Sequence, residues 1–216
     1  MSTKKIQWIN LWPSKEMKLQ AKHKQVMFLL EELFAKNSSI QTICDFGCGQ
    51  GILTNEIQKK YPEKKVFGLD NNNFSKEKIE NFGIEYKHFD LLDDHTNDIV
   101  DVAILSDVLE HFPNPLQVLT NLSHVKYFII VVPNFSFITE RWSVLLGKVP
   151  FQLKPSRGGH MFWFNQQTWN EMINDMGLTI VLQSHLYPKK LDYFPFFKRY
   201  TNLFATSFGC ILKRKL

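Results

Sequence analysis

Apolar residues fall into short runs separated by polar stretches with helical spacing. Ile40–Phe46, Val66–Asp70, Ile84–Phe89, Val100–Leu105 and Tyr127–Val132 lack clean alternation, as strands covered on both faces do. Between them, Ile52–Lys60, Phe74–Phe82 and Pro115–Leu122 read as helices. Strands with helices between them predict βαβ units and a parallel sheet. Upstream, residues 14–36 predict a helix. Ser14 can cap it, and Met17, Leu19, Val26, Met27, Leu29, Leu30 and Leu33 supply its apolar face. Trp8, Ile9, Leu11 and Trp12 precede it as an aromatic-apolar segment.

The rhythm breaks at residues 133–165. Pro133, Pro150, Pro155 and the Gly158–Gly159 pair punctuate an aromatic-rich stretch with room for one short helix, Thr139–Leu146. A helix over Gln166–Met176 then starts at the cap Asn165 and stops at Gly177. Leu178–His185 reads as strand six. After a Pro- and Phe-rich connection, Tyr187–Tyr200, the segment Leu203–Lys213 reads as the last strand. With no helix between them, these two strands predict an antiparallel closure of the sheet. The chain reads as one α/β domain, 1–216, with an N-terminal helical cap at 1–38 and a small aromatic insertion, 133–165, after strand five that would form a substrate lid.

The most informative chemistry sits where strand one meets its helix. Asp45-Phe46-Gly47-Cys48-Gly49-Gln50-Gly51 places glycine at every second position. Glycine serves where the backbone needs positive φ or must approach a ligand with no Cβ in the way. A strand-to-helix turn is suited to holding a polar or anionic ligand. Asp45 shifts the expected ligand away from a pyrophosphate, which a carboxylate repels, and toward an ammonium group. The glycine spacing also departs from the dinucleotide fingerprint G-x-G-x-x-G.

This loop resembles motif I of the class I S-adenosylmethionine-dependent methyltransferases. Ser106-Asp107-Val108-Leu109-Glu110-His111, followed by Phe112-Pro113-Asn114-Pro115, resembles the family's segment after strand four. Gly159–Phe164 before the Gln166–Met176 helix resembles its segment before the last helix. Val132-Pro133-Asn134-Phe135 with Arg141 and Gly147 is similar to the methionine-biosynthesis W-type and ubiquinone-type small-molecule subgroups. The resemblance implies a Rossmann-like, seven-stranded, mostly parallel sheet with helices on both faces and an antiparallel last strand. It implies S-adenosyl-L-methionine as cofactor, held by Asp45, Gly47, Cys48, Gly49, Gly51, Asp70, Asn71, Asp90, Leu91, Ser106 and Asp107.

In an open parallel sheet, ligands sit at the carboxyl ends of the strands. Asp70, 19 residues past Gly51, can accept two ribose hydroxyls. Asp90 after Phe89 can take an adenine amine. Methyl transfer needs mainly positioning, and a base only where the acceptor carries a proton. His160 and His111 are the candidate catalytic residues, and Arg141, Trp142, Phe162 and Trp163 the candidate acceptor contacts. Asp107, Glu110 and His111 would share one face of a helix. A solvated helix start explains them, and no metal is expected.

Composition narrows the partners. The 216 residues carry a net charge of +5, with basic residues spread along the chain. Nineteen Phe residues cluster toward the C-terminal half. Cys44, Cys48 and Cys210 have neither zinc-ligand nor disulfide spacing, which fits a reducing cytoplasm. The longest apolar run ends at Pro133, too short for a membrane span. Neither the D/N-P-P-Y/F string of amino-methylating DNA enzymes nor a Pro-Cys nucleophile is present, so no nucleic-acid partner is expected. The expected function is methyl transfer to a small-molecule acceptor, an oxygen before a nitrogen. Sugars, secondary metabolites and cell-surface polysaccharide precursors are the candidate acceptors, and a homodimer is allowed. The alternatives are a catalytically silent cofactor-binding subunit that regulates a partner enzyme, and an RNA methyltransferase.

Overall fold

A computed structural model describes residues 18–72, 74–94, 100–154 and 159–214. The aromatic segment Trp8–Trp12, the cap Ser14, Met17, Pro155 and Gly158 lie outside the described residues. One sheet carries seven strands in the order β3-β2-β1-β4-β5-β7-β6. They are β1 Thr42–Phe46, β2 Lys65–Asp70, β3 Glu85–His88, β4 Val102–Ser106, β5 Tyr127–Pro133, β6 Leu178–Leu186 and β7 Ser207–Arg214. β1 to β5 pair in parallel, and β7 runs antiparallel between β5 and β6. Strand order reverses between β1 and β4, which places a crevice at their carboxyl ends.

Nine helices flank the strands among the described residues: α1 Ala21–Lys36, α2 Ile52–Lys60, α3 Phe74–Asn81, α4 Pro115–Asn121, α5 Ile138–Leu145, α6 Gln166–Asp175, α7 Lys189–Asp192, α8 Pro195–Lys198 and α9 Thr201–Phe204. Each face of the sheet has its own core. On one, Val26, Leu29, Leu30 and Leu33 of α1 and Leu53 and Ile57 of α2 bury against Ile43, Val102, Ile104 and Ile129. On the other, Val118 and Leu119 of α4 and Trp169, Met172 and Ile173 of α6 meet Cys44, Ala103, Leu105, Phe128 and Ile130. Residues that alternate along β1, β4 and β5 thus feed both cores, which explains strands apolar throughout.

Several expectations need correction. α1 begins at Ala21, and Lys18–Gln20 are not helical; Leu19 is exposed. β7 begins at Ser207, because Thr201–Phe204 forms a helical turn instead of extending the strand. β6 and β7 pair antiparallel as expected, but three short helices connect them. Pro188 at the N-cap of α7 and Pro195 at the first turn of α8 favour helix starts in a stretch that reads as irregular. α6 matches its prediction: the Asn165 side chain accepts from the Gln167 and Thr168 amides.

Candidate active site

β1 ends at Asp45 and Phe46, and the chain turns through Gly47, Gly49 and Gly51, all with positive φ (69°, 53° and 72°). The glycines differ in what surrounds them. A Cβ on Gly47 would stand 2.6 Å from a Val108 methyl, so this glycine permits close packing under the loop. A Cβ on Gly49 would meet nothing within 4 Å. The space over Gly49 is open, as backbone that receives a ligand requires. The loop is tied to β2 by the Gly47 and Cys48 amides, which donate to the Leu69 carbonyl at 2.7 and 3.2 Å.

Asp70, at the end of β2, closes this side. Its carboxylate accepts the Gly49 amide at 2.9 Å and the Asn72 amide at 2.8 Å. Burial raises its pKa, and these two amides and nearby His88 oppose the rise. A carboxylate fixed by backbone donors keeps further lone pairs for ligand hydroxyls. Asn71 follows it, exposed on the bend. Asp90 shapes its own turn: its carboxylate accepts the Leu92 amide and its amide donates to Asp94.

Three of the expected cofactor contacts have buried side chains. Asp45 is buried and accepts the Thr54 hydroxyl at 2.6 Å, so its carboxyl braces α2 against the loop. Burial pushes its pKa up to about 7. The Cys48 side chain packs with Ile79, Ile84 and Tyr86, and burial pushes its thiol well up. Leu91 lies in the core beside Phe46 and Phe89.

The second half of the site follows β4. Asp107 adopts φ 55°, so the chain leaves Ser106 in a left-handed step and then forms a 3-10 turn, Leu109–His111. Asp107, Glu110 and His111 therefore do not share a helical face, contrary to the expectation. The Asp107 carboxylate pairs with Lys22, from the first turn of α1. Gln25, one turn on, anchors α1 by donating to the Ser184 carbonyl at 2.9 Å and accepting the Ser207 hydroxyl at 3.0 Å.

Glu110 is the centre of this half. It is 1% exposed, and its Oε2 has no hydrogen-bond partner among the described residues. Burial pushes its pKa up to about 7, against the pull of Lys22. Its carbonyl accepts the Met161 and Phe162 amides at 2.8 and 3.0 Å, which pins the Gly159–Phe164 segment onto the turn after β4. That pinning brings the two candidate histidines together, with the His111 and His160 ring centroids 5.0 Å apart, edge to face. One donor atom from each of Glu110, His111 and His160 lies within 4.8 Å of the others, a set able to hold a divalent cation. Expecting no metal, the sequence reading did not join His160 to this group. Lys22 and the burial of Glu110 also escaped it. The S-D-V-L-E-H string placed Glu110 near the site, but nothing in the sequence marked Lys22.

The candidate acceptor contacts divide. Phe162 packs toward the core and against Phe164 at 4.9 Å. Trp163 is partly exposed beside Phe135, 6.2 Å between centroids. Arg141 donates from Nε to the Ser136 carbonyl at 2.8 Å. Trp142 lines a groove of about 430 Å³ with Ile138, Thr139, Ser143, Leu146 and Lys148.

A sequence profile described as a methyltransferase domain matches residues 17–183, most of the chain and both halves of the site. The chain belongs to the methyltransferase-domain family. The fold agrees with solved structures. Magnesium protoporphyrin IX methyltransferase from Synechocystis PCC 6803, with bound S-adenosylhomocysteine, superposes with a TM-score of 0.63 at 15% identity, over 96% of this chain and 93% of that one. A SAM-dependent methyltransferase from Archaeoglobus fulgidus gives 0.62 at 18%, over 89% and 94%. The plantazolicin methyltransferase BpumL, in complex with S-adenosylhomocysteine, gives 0.61 at 15%, over 89% and 83%. No curated protein sequence matches. This methyltransferase is an S-adenosylmethionine-dependent enzyme, and no described helix is long and apolar enough to cross a membrane.

Proposed function

We propose that this methyltransferase methylates an oxygen of a small-molecule acceptor, drawn from sugars, secondary metabolites or cell-surface polysaccharide precursors. The observation that carries the reading is the His111–His160 pair beside the end of β4, over the buried carboxyl of Glu110. A hydroxyl must lose its proton to become a competent nucleophile, and histidine takes a proton readily near neutral pH.

The residues present fit the cofactor. The open space over Gly49 admits it, Asp70 would hold its ribose, and Asp90 would stand by its adenine. The bound cofactor supplies a methyl group on a sulfonium, already a good leaving group. The chain's own work is then positioning and proton handling. His160 accepts the acceptor's proton at an imidazole nitrogen, and His111 orients it edge to face. Glu110 stabilises the imidazolium when ionised, a role its pKa near 7 allows. Trp163, Trp142 and Arg141 would border the acceptor.

The test is titration calorimetry with S-adenosylmethionine, followed by turnover of hydroxylated acceptors with a tritiated methyl donor. The reading expects tight cofactor binding and turnover that depends on His160. Cofactor binding with full turnover in a His111→Ala/His160→Ala double variant would show that the proton leaves by another route.

A further inference from the structure

The apolar side chains that this methyltransferase exposes are not scattered. Among the described residues, eighteen large hydrophobic side chains are exposed, and eleven of them lie in two stretches, Arg141–Lys154 and Lys189–Tyr200. Leu145 is 71% exposed, Phe196 64% and Tyr193 84%. Surface hydrophobes this dense mark an interaction surface, whereas single exposed leucines need no explanation.

The two stretches are linked through one buried residue. Asn134, fully buried, donates from Nδ2 to the Asn202 and Ala205 carbonyls at 3.0 and 2.7 Å, which holds α9. Its own carbonyl accepts the Gln152 side chain at 3.0 Å, which holds the 3-10 turn Phe151–Leu153 that packs on α5. α7, α8 and α9 follow one another in contact, and Phe194, Phe196, Phe197, Tyr200 and Phe204 join α8 and its flanks to α9 ring to ring. One buried asparagine therefore ties both apolar stretches into a single region.

Charge says what covers it. Arg141–Lys154 holds three basic residues and no acid, and the neighbouring Glu140 is buried. Lys189–Tyr200 holds four basic residues and one acid, Asp192, itself paired to Lys198 at 2.9 Å. The two stretches carry a surplus of six positive charges, whereas the whole chain carries +5. The remainder of the chain is thus about neutral, and the net positive charge of this protein belongs to the two stretches that carry most of its exposed apolar side chains. All seven basic side chains are exposed.

We propose that this face docks the protein on an anionic bilayer surface, without spanning it. Exposed aliphatic and aromatic side chains enter the headgroup boundary, and the basic residues among them meet anionic headgroups, the pattern of an interfacial segment. A second copy of the chain fits poorly, because a two-fold contact would bring six like charges against six. A single-stranded RNA would use the rings and the lysines but gains nothing from Val144, Leu145, Leu146 and Val149. The helices involved have eight residues or fewer, too short to cross the hydrocarbon core.

Docking does not depend on the acceptor, so its test stands apart from methyl transfer. The full-length protein is sedimented with vesicles of phosphatidylcholine alone and of phosphatidylcholine with phosphatidylglycerol. Binding to the anionic vesicles at least tenfold tighter than to the neutral ones, and weakened by salt, is the expected result. Leu145→Glu/Phe196→Glu should lose that binding at least tenfold. Lys148→Glu/Lys189→Glu, which leaves every apolar side chain in place, should lose it comparably. Both variants should keep the wild-type melting temperature and affinity for S-adenosylmethionine. Four results would overturn the proposal: equal partition onto neutral and anionic vesicles; no binding to either; wild-type binding by folded variants of both kinds; or, with no vesicle binding, a dimer or RNA complex that Leu145→Glu/Phe196→Glu dissolves.

Discussion

The two sides of the crevice are built by opposite means. On the side proposed to hold the cofactor, backbone amides do the work. Gly47, Cys48 and Gly49 donate to Leu69 and Asp70, and side chains that could have faced the ligand, Asp45 and Cys48, are buried behind the loop. On the acceptor side, side chains do the work. Glu110, His111 and His160 come from two segments far apart in sequence, joined by the Glu110 carbonyl and the Met161 and Phe162 amides. Beyond them, Trp142–Leu153 carries many exposed apolar side chains. A backbone cradle is insensitive to side-chain drift, and a side-chain cluster can be retuned.

The comparison breaks most sharply at Gly49. Gly49→Val adds a branched side chain at φ 53°, a strain of about 1–2 kcal/mol, in space that is open without ligand. The protein should fold and lose S-adenosylmethionine binding by a thousandfold or more in calorimetry. A variant that unfolds would make this glycine structural, as Gly47 is.

Glu110 tests the other side. Its folded pKa of about 7 stands above its ordinary 4.5, so folding favours the protonated acid. That stability is fully present below pH 4.5 and is lost as pH rises through 7. Glu110→Gln should escape the loss, gaining stability relative to wild type as pH rises between those limits. Chemical denaturation of both proteins across that range measures it. Parallel curves would mean that Glu110 titrates as an exposed acid.

Next in size is His160→Ala, which should lower turnover about a hundredfold while leaving cofactor affinity alone. His111→Ala is its partner measurement. Full activity in His160→Ala with loss in His111→Ala would move the base to the turn after β4. The smallest effect is expected at Asp70. Asp70→Ala removes charge-assisted bonds worth roughly 1.5–3 kcal/mol each, so S-adenosylmethionine affinity should fall at least tenfold. Part of that loss will come through Gly49, whose amide Asp70 holds.

The geometry of the glycine loop is far more legible in the sequence than that of the histidine cluster, for the same physical reason. Glycines at positive φ and acids at strand ends are local signals, and residues 40–135 obey them closely. The histidine pair depends on a contact across about fifty residues, which no local pattern encodes. Lys22 meets Asp107 because α1 packs across the sheet, with Gln25 anchoring it to β6 and β7. The helices between β6 and β7 were missed because four-residue turns rich in Pro and Phe carry no helical period. The position of β7 between β5 and β6 is a pairing choice made by the whole sheet.

The most direct test of the account is a crystal structure with S-adenosylhomocysteine bound. The account predicts the ligand over Gly49, its ribose hydroxyls on Asp70 and its sulfur facing the His111–His160 pair. A ligand whose sulfur faces another wall of the crevice, with both histidines out of reach of a methyl group, would contradict it.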